Sequence, residues 1–376
     1  MTDAVPKGWP RNWRSYFMSK KNGRIYVCHT FYHLYISFLK EFNQSAEERG
    51  NATVILSLMS NDWGDIKERI VSSGIFKEVY EFDEKRETAF PDLAKYKVNR
   101  GNILFNTIPR IKFTSEFARL QDKYVPVDFA GYDDVYVFCD TDPIGLYLNK
   151  KRIKYHSVED GLNYLSRGIP AKRDNKKLFW LKKFLAMNLN LIFMQDGYSK
   201  YCVDMEVNDL SLIDDRFRKY KEVPRKKLEE ALTEDQKQTL IRVFVKDIDR
   251  MKAEIGKTGD YKDNILILTE PLCKDLKDRE RLFRDLVNEY SAEGTVFLKI
   301  HPRDELDYEA LFGDVFKFDK KVPMEILNFF TEVHFKKVVA IFTQLGSINY
   351  ADEKVYLGKK FMDKYEDPSI HAHIKE

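Results

Sequence analysis

Long apolar runs are missing from this chain of 376 residues. None approaches the roughly 18 residues that a membrane-spanning helix needs, so no transmembrane segment is expected. The opening, Met1-Thr2-Asp3-Ala4-Val5-Pro6, lacks the apolar core of a secretory signal, and a cytoplasmic location is the expectation. Cysteine is scarce. Cys28, Cys139, Cys202 and Cys273 are scattered with no metal-type spacing, and Cys28 and Cys139 sit in apolar strand-like runs. That pattern excludes a disulfide scaffold and predicts buried free thiols in a reducing compartment. Net charge is only +3, too little to point to a nucleic-acid partner. Low-complexity tracts and short-period repeats are absent as well.

What is present is material for cores. The chain is 43% hydrophobic and 14% aromatic, which rules out disorder, and its length favours two domains. Buried-strand runs cover residues 24–28, 53–58, 79–82 and 134–139, and 102–105 reads as one more. After the first run, His29-Thr30-Phe31-Tyr32-His33 turns into a helix through Phe42, with Leu34, Phe38 and Leu39 on one face. A charged helical pattern fills 227–256, and Gly256-Lys257-Thr258-Gly259-Asp260 reads as a linker. Further strands follow at 265–268, 296–300, 315–318 and 337–342, with a helix at 278–290. Strands alternating with helical patterns predict an α/β chain of two Rossmann-like domains with parallel sheets, 24–255 and 256–376, behind a basic leader, 1–23.

Two segments stand outside that scheme. The leader carries Trp9, Trp13 and Phe17 among lysines and arginines, and reads either as poorly packed or as a membrane-surface contact. Residues 171–194 interleave Lys172, Arg173, Lys176, Lys177, Lys182 and Lys183 with Leu178, Phe179, Trp180, Leu181, Phe184 and Leu185. They read as a basic amphipathic helix, either packed on the first domain with its lysines in water or docked on an anionic membrane or acceptor groove.

Chemistry is expected where strands end, because ligands of open α/β sheets bind at the carboxyl edge. A run at 152–156 leads into Glu159-Asp160-Gly161, with Leu162 and Leu165 at helical spacing. A carboxylate there can cap a helix or act as a general base, and Gly161 would let the backbone turn and a substrate approach. The run 296–300 ends at His301-Pro302. Proline stops the strand, and a histidine at its tip can stabilise or protonate a departing phosphate, with Lys299 and Arg303 keeping the potential positive. Thr343-Gln344-Leu345-Gly346-Ser347 follows the last strong strand; Ser347 reads as a helix cap or as part of a phosphate site. Asp140-Thr141-Asp142 reads as a turn or as a divalent-metal pair on a sugar nucleotide. His29 and His33 have metal-ligand spacing but no third partner, so a metal site there is rejected.

The order Glu159-Asp160-Gly161, His301-Pro302 and Ser347, one set per half, resembles the bacterial sialyltransferases. Tyr26-Val27-Cys28-His29-Thr30-Phe31-Tyr32-His33 is similar to the start of glycosyltransferase family 52, which includes lipooligosaccharide and capsule sialyltransferases. The resemblance runs from about Arg24 to Gly358. It implies a GT-B fold with the site in the cleft between domains, CMP-N-acetylneuraminic acid as donor, and no metal or other cofactor. By the same resemblance Asp160 is the base with Glu159 as fallback, His301 meets the CMP phosphate, and Gly161, Lys299, Pro302, Thr343, Gly346 and Ser347 lie on the donor side. The acceptor implied is a galactose-terminated surface glycan. From the basic segments outside the resemblance, a peripheral contact with an anionic inner-membrane surface is a further expectation, and a homodimer is left open. The competing readings are a transferase using CMP-Kdo or a CDP-alcohol, a metal-dependent enzyme built on Asp140 and Asp142, and a non-enzymatic glycan- or membrane-binding protein.

Overall fold

The apolar runs pair side by side in the computed structural model, which describes residues 23–98, 101, 103–138, 140–214, 217–372 and 374. Residues 1–22 of the basic leader and Cys139 lie outside the described residues. The first sheet holds β1 (Arg24–Cys28), β2 (Ala52–Ser57), β3 (Glu78–Phe82), β4 (Asp134–Val137), β5 (Tyr155–Val158), β6 (Cys202–Val207) and β7 (Tyr220–Glu222). Its order is β3-β2-β1-β4-β5-β6-β7, every pair parallel. The second holds β8 (Asn264–Leu268), β9 (Thr295–Lys299), β10 (Phe316–Phe318), β11 (Phe335–Ala340) and β12 (Ala351–Tyr356), in the parallel order β10-β9-β8-β11-β12. The central strands are buried along their whole length, as strands covered on both faces must be. Strand order reverses at β1/β4 and at β8/β11, and crevices open at such switch points.

The helix Phe31–Phe42 joins the halves. Thr30 starts it, its hydroxyl accepting the His33 N–H at 3.2 Å. Sequence periodicity predicts one apolar face, yet every residue of the helix except Tyr32 is buried. The reason is its position: Tyr35 packs on Phe244 and on Phe329, so one hydrophobic core runs from the first sheet into the second half. Its buried charges are all paired, as low dielectric demands. Lys40 Nζ reaches Glu206 at 2.6 and 2.8 Å, and Glu41 accepts from Arg24 and from the Tyr26 hydroxyl. The helix Glu234–Phe244, opened by a Thr233–Gln236 capping box, buries Leu240, Ile241, Val243 and Phe244 in the same core.

Two expectations fail here. Residues 102–105 are not a strand; a helix, Ile103–Gln121, begins there. The apolar residues continue at Ile108 and Ile111, and that helical spacing outweighs a short apolar run. Residues 171–194 are not one helix but two, Pro170–Asp174 and Phe179–Met187. The Asn175 amide closes the first by bonding the Ala171 carbonyl, and Leu178 then takes a left-handed φ of 58°. Trp180 nonetheless stays 76% exposed, with Phe184 at 51%. Cys28, Cys202 and Cys273 are buried free thiols. Among the described residues no helix is long and apolar enough to cross a membrane.

Candidate active site

Side chains alternate along a strand, so the two carboxylates that leave β5 point to opposite sides. Glu159 turns inward. Its Oε1 accepts the Leu165 N–H and its Oε2 the Asn208 N–H, both at 2.9 Å, which clamps the 159–165 loop to the end of β6. Burial pushes its carboxyl up. Asp160 turns outward and keeps 38% side-chain exposure. His33 Nε2 donates to Asp160 Oδ1 at 2.8 Å, because His33 Nδ1 accepts the His29 N–H at 3.1 Å and leaves the proton on Nε2. The His33 ring is itself stacked on Phe138 at 4.5 Å. Burial alone would raise the Asp160 carboxyl. The His33 hydrogen bond and the charges of Arg303 and His29 outweigh it and hold the group below the usual carboxylate range.

No α-helix follows these residues. The Tyr164 N–H closes a turn on the Gly161 carbonyl, Asn163 sits at φ 55°, and one 3-10 turn, Tyr164–Arg167, ends the segment. The expected helix fails because Glu159 takes the Leu165 N–H that a helix would use. Gly161 also lacks the expected backbone role: its φ is not left-handed, and a Cβ there would meet open space.

Behind Asp160, the switch point between β1 and β4 is filled by protein. His29 Nε2 bonds Glu84 Oε2 at 2.6 Å, and that carboxylate also accepts from the Ser57 hydroxyl and the Ile144 N–H. Despite burial, Glu84 and Asp142 raise His29 to about 9. Asp142 stands 3.4 Å from His29. Asp140 is buried, its Oδ1 accepting the Asp196 N–H at 3.0 Å and its Oδ2 the Tyr155 hydroxyl at 3.1 Å. Asp140 is thus engaged by donors of the chain, and Asp142 has the His29 ring beside it. Among the described residues no group of three or more His, Cys, Asp or Glu is arranged to hold a metal ion.

The second sheet supplies the opposite wall. His301-Pro302-Arg303-Asp304 form a turn closed by the Asp304 N–H on the His301 carbonyl at 3.0 Å, with Pro302 at its second position. The His301 N–H donates to Thr269 Oγ1, and His301 Nδ1 accepts the Arg303 N–H at 3.1 Å, so the neutral ring carries its proton on Nε2. Burial, with Arg303 and Lys299 beside it, pulls the imidazole down to about 4. Lys299 is buried, donates to the Ile300 carbonyl, and is lowered by burial to about 8. The N–H groups of Ile341, Phe342 and Thr343 all converge on Glu270 Oε1 at 2.8–3.0 Å, which occupies them with an internal anion. Ser347 does not open a helix. The chain runs from it into β12, a charged edge strand whose sparse apolar pattern hides it from periodicity. The Ser347 hydroxyl is buried without a partner. A cavity of about 220 Å³ lies between the halves, lined by Tyr32, Leu162, Asn163, Asn208, Arg225, Lys226 and Glu229 on one side. Glu325, Gln344, Gly346, Ser347 and Asn349 line the other. Asn163 Nδ2 donates to Gln344 Oε1 across it at 3.1 Å.

The profile of Glycosyltransferase family 52 matches residues 109–359. The chain belongs to that family. Its fold is of the GT-B type, and it is similar to two solved structures. One is an α/β-galactoside α-2,3-sialyltransferase of the luminous marine bacterium Photobacterium phosphoreum, at 10% identity and a TM-score of 0.50 over 89% of this chain and 90% of that one. The other is a 2,6-sialyltransferase of Photobacterium sp. JT-ISH-224, solved with CMP and lactose, at 10% identity and a TM-score of 0.53 over 93% and 76%. At such low identity the structural likeness establishes the fold alone. An uncharacterized protein of Haemophilus influenzae is 27% identical over 222 residues, 57% of this chain. The chain spans 65% of that relative's length.

Geometry assembles some of the expected residues and disperses others. Asp160 and His301 stand outside the lining of the cavity, yet the charge of Arg303, two residues beyond His301, acts on Asp160. Ser347 and Gly346 line the cavity, whereas Glu159, Lys299 and Thr343 make internal contacts. Sequence reasoning missed the part His33 plays. The signal was the spacing of His29 and His33, whose partners are carboxylates rather than a metal.

Proposed function

We propose that this glycosyltransferase is an inverting, metal-independent sialyltransferase. It moves N-acetylneuraminic acid from its CMP-linked form to a terminal galactose of a bacterial surface glycan, lipooligosaccharide or capsule. One observation carries the reading. Asp160 holds an ionised carboxylate at the carboxyl edge of the first sheet, 38% exposed, with Oδ1 fixed by His33 and the charge of Arg303, from the second half, acting on it. Asp160 Oδ2 takes the acceptor hydroxyl proton as that oxygen attacks the anomeric carbon. The bond from that carbon to the phosphate oxygen breaks, and its electron pair leaves with CMP. A neutral His301 donates its Nε2–H to the phosphate, the Ser347 hydroxyl adds a second donor, and Arg303 supplies charge. Base and leaving group lie on different domains, hence on opposite faces of the sugar, and that arrangement inverts the configuration. A nucleoside monophosphate is a smaller anion to stabilise than a diphosphate, so these groups serve without a divalent ion. Both oxygens of Glu159 hold backbone N–H groups, which favours Asp160 over Glu159 as the base. The enzyme works at the cytoplasmic face of the inner membrane, where the exposed Trp180–Phe184 face with its lysines contacts anionic lipid.

The test is CMP release from CMP-N-acetylneuraminic acid with lactose, with and without EDTA. Turnover that survives EDTA, falls by about 10²–10⁴-fold in Asp160→Asn, and falls in His301→Ala supports the assignment. Turnover only with CMP-Kdo or a CDP-linked donor removes the sugar from it. Turnover that needs a divalent ion refutes it.

A further inference from the structure

Arg225 is the buried charge that nothing so far explains. It opens the short helix Arg225–Glu230, is 3% exposed, and lines the interdomain cavity. Its N–H bonds Asn208 Oδ1 and its Nη1 reaches the Val223 carbonyl at 3.3 Å, while its Nη2 is buried with no partner. Three nearby carboxylates have other partners: Glu159 two backbone N–H groups, Glu206 Lys40, and Glu229, through Oε1, the Tyr35 hydroxyl; Glu325 lines the same cavity from the other half. A guanidinium taken out of water without a counter-ion is costly, and it is retained where an anion arrives to meet it.

We propose that Arg225 is the donor-recognition residue for the carboxylate of the transferred sugar. This rests on the sialyltransferase reading and deepens it. In a CMP-linked 2-keto sugar acid the carboxylate sits on the carbon that reacts. Any residue that reads it must therefore border the space between the base and the phosphate donors. Arg225 lies beside that space: the cavity it lines runs from Asn163, three residues beyond Asp160, to Ser347, while Asp160 and His301 stand outside its lining. A planar guanidinium with a spare edge matches a carboxylate in geometry as well as in sign. The same contact selects sugar acids as a class over neutral sugars, which offer no anion at that carbon.

The experiment is calorimetric binding of CMP, CMP-N-acetylneuraminic acid and its methyl ester to the wild-type protein, Arg225→Ala and Arg225→Lys. Wild type is expected to bind the acid about 100-fold more tightly than the ester. Arg225→Ala should lose that preference while its affinity for CMP stays at the wild-type level, which also shows that the variant is folded. Arg225→Lys should keep part of the preference. Three results would overturn the assignment: CMP affinity falling in Arg225→Ala as far as that of the acid, since Arg225 would then serve the nucleotide; a preference that survives Arg225→Ala; or a wild type that treats acid and ester alike. A wild type that binds neither CMP nor the donor would instead remove the functional reading itself.

Discussion

Replacing His33 with alanine removes the group that holds Asp160 Oδ1 at 2.8 Å. A hydrogen bond to a charged group contributes about 1.5–3 kcal/mol. Asp160 is 38% exposed, so solvent screening lowers that to about 1 kcal/mol. The sign follows from linkage. The native carboxyl lies below its ordinary value, so the base is ionised at neutral pH and is lost as pH falls through the folded pKa. Without His33 that loss begins at higher pH, and the acid limb of kcat/KM moves to higher pH. At pH 7 the carboxylate is ionised either way. The rate still falls by about 10–100-fold there, because an untethered carboxylate spends less time aimed at the acceptor hydroxyl. The assay is CMP release across pH 4–9, with His33→Gln, whose amide can donate to the same oxygen, as the rescue. A His33→Ala enzyme whose rate drops while its acid limb stays in place would refute the positioning role and leave His33 a packing residue against Phe138.

The His29–Glu84 pair gives a stability prediction. Its partner lifts His29 to about 9, so its contribution is complete below the free imidazole value of about 6.5 and is lost as pH rises toward 9. The melting temperature should fall across that window in wild type and lose this dependence in His29→Ala, with Glu84→Gln costing about 3–5 kcal/mol at pH 6. A melting temperature that is flat from pH 6 to 9 would contradict it. Glu270→Ala orphans the N–H groups of Ile341, Phe342 and Thr343, and should cost about 3 kcal/mol while weakening CMP binding through the loop that carries Ser347. Thermal unfolding and calorimetry read both effects, and unchanged unfolding would show that water replaces the carboxylate freely.

By itself the sequence determined the class of fold and most of its strands. Runs such as Ile265-Leu266-Ile267-Leu268 are buried on both faces, so their apolarity does not depend on which neighbour covers them. It also pointed to strand ends as the expected place for chemistry, and it singled out Glu159-Asp160 and His301-Pro302 as candidates. It did not decide which carboxylate turns outward, because adjacent residues on a strand diverge and only the loop they enter shows which one is consumed by backbone N–H groups. Ser347 lost its expected helix for a related reason: β12 is an exposed edge strand held by its ladder to β11, and its own side chains carry no period. The partners of Asp160 were beyond reach as well. His33 lies 127 residues away in the chain, and Arg303 belongs to the other sheet. Their electrostatic grip on Asp160 exists only once both sheets are folded and share one core.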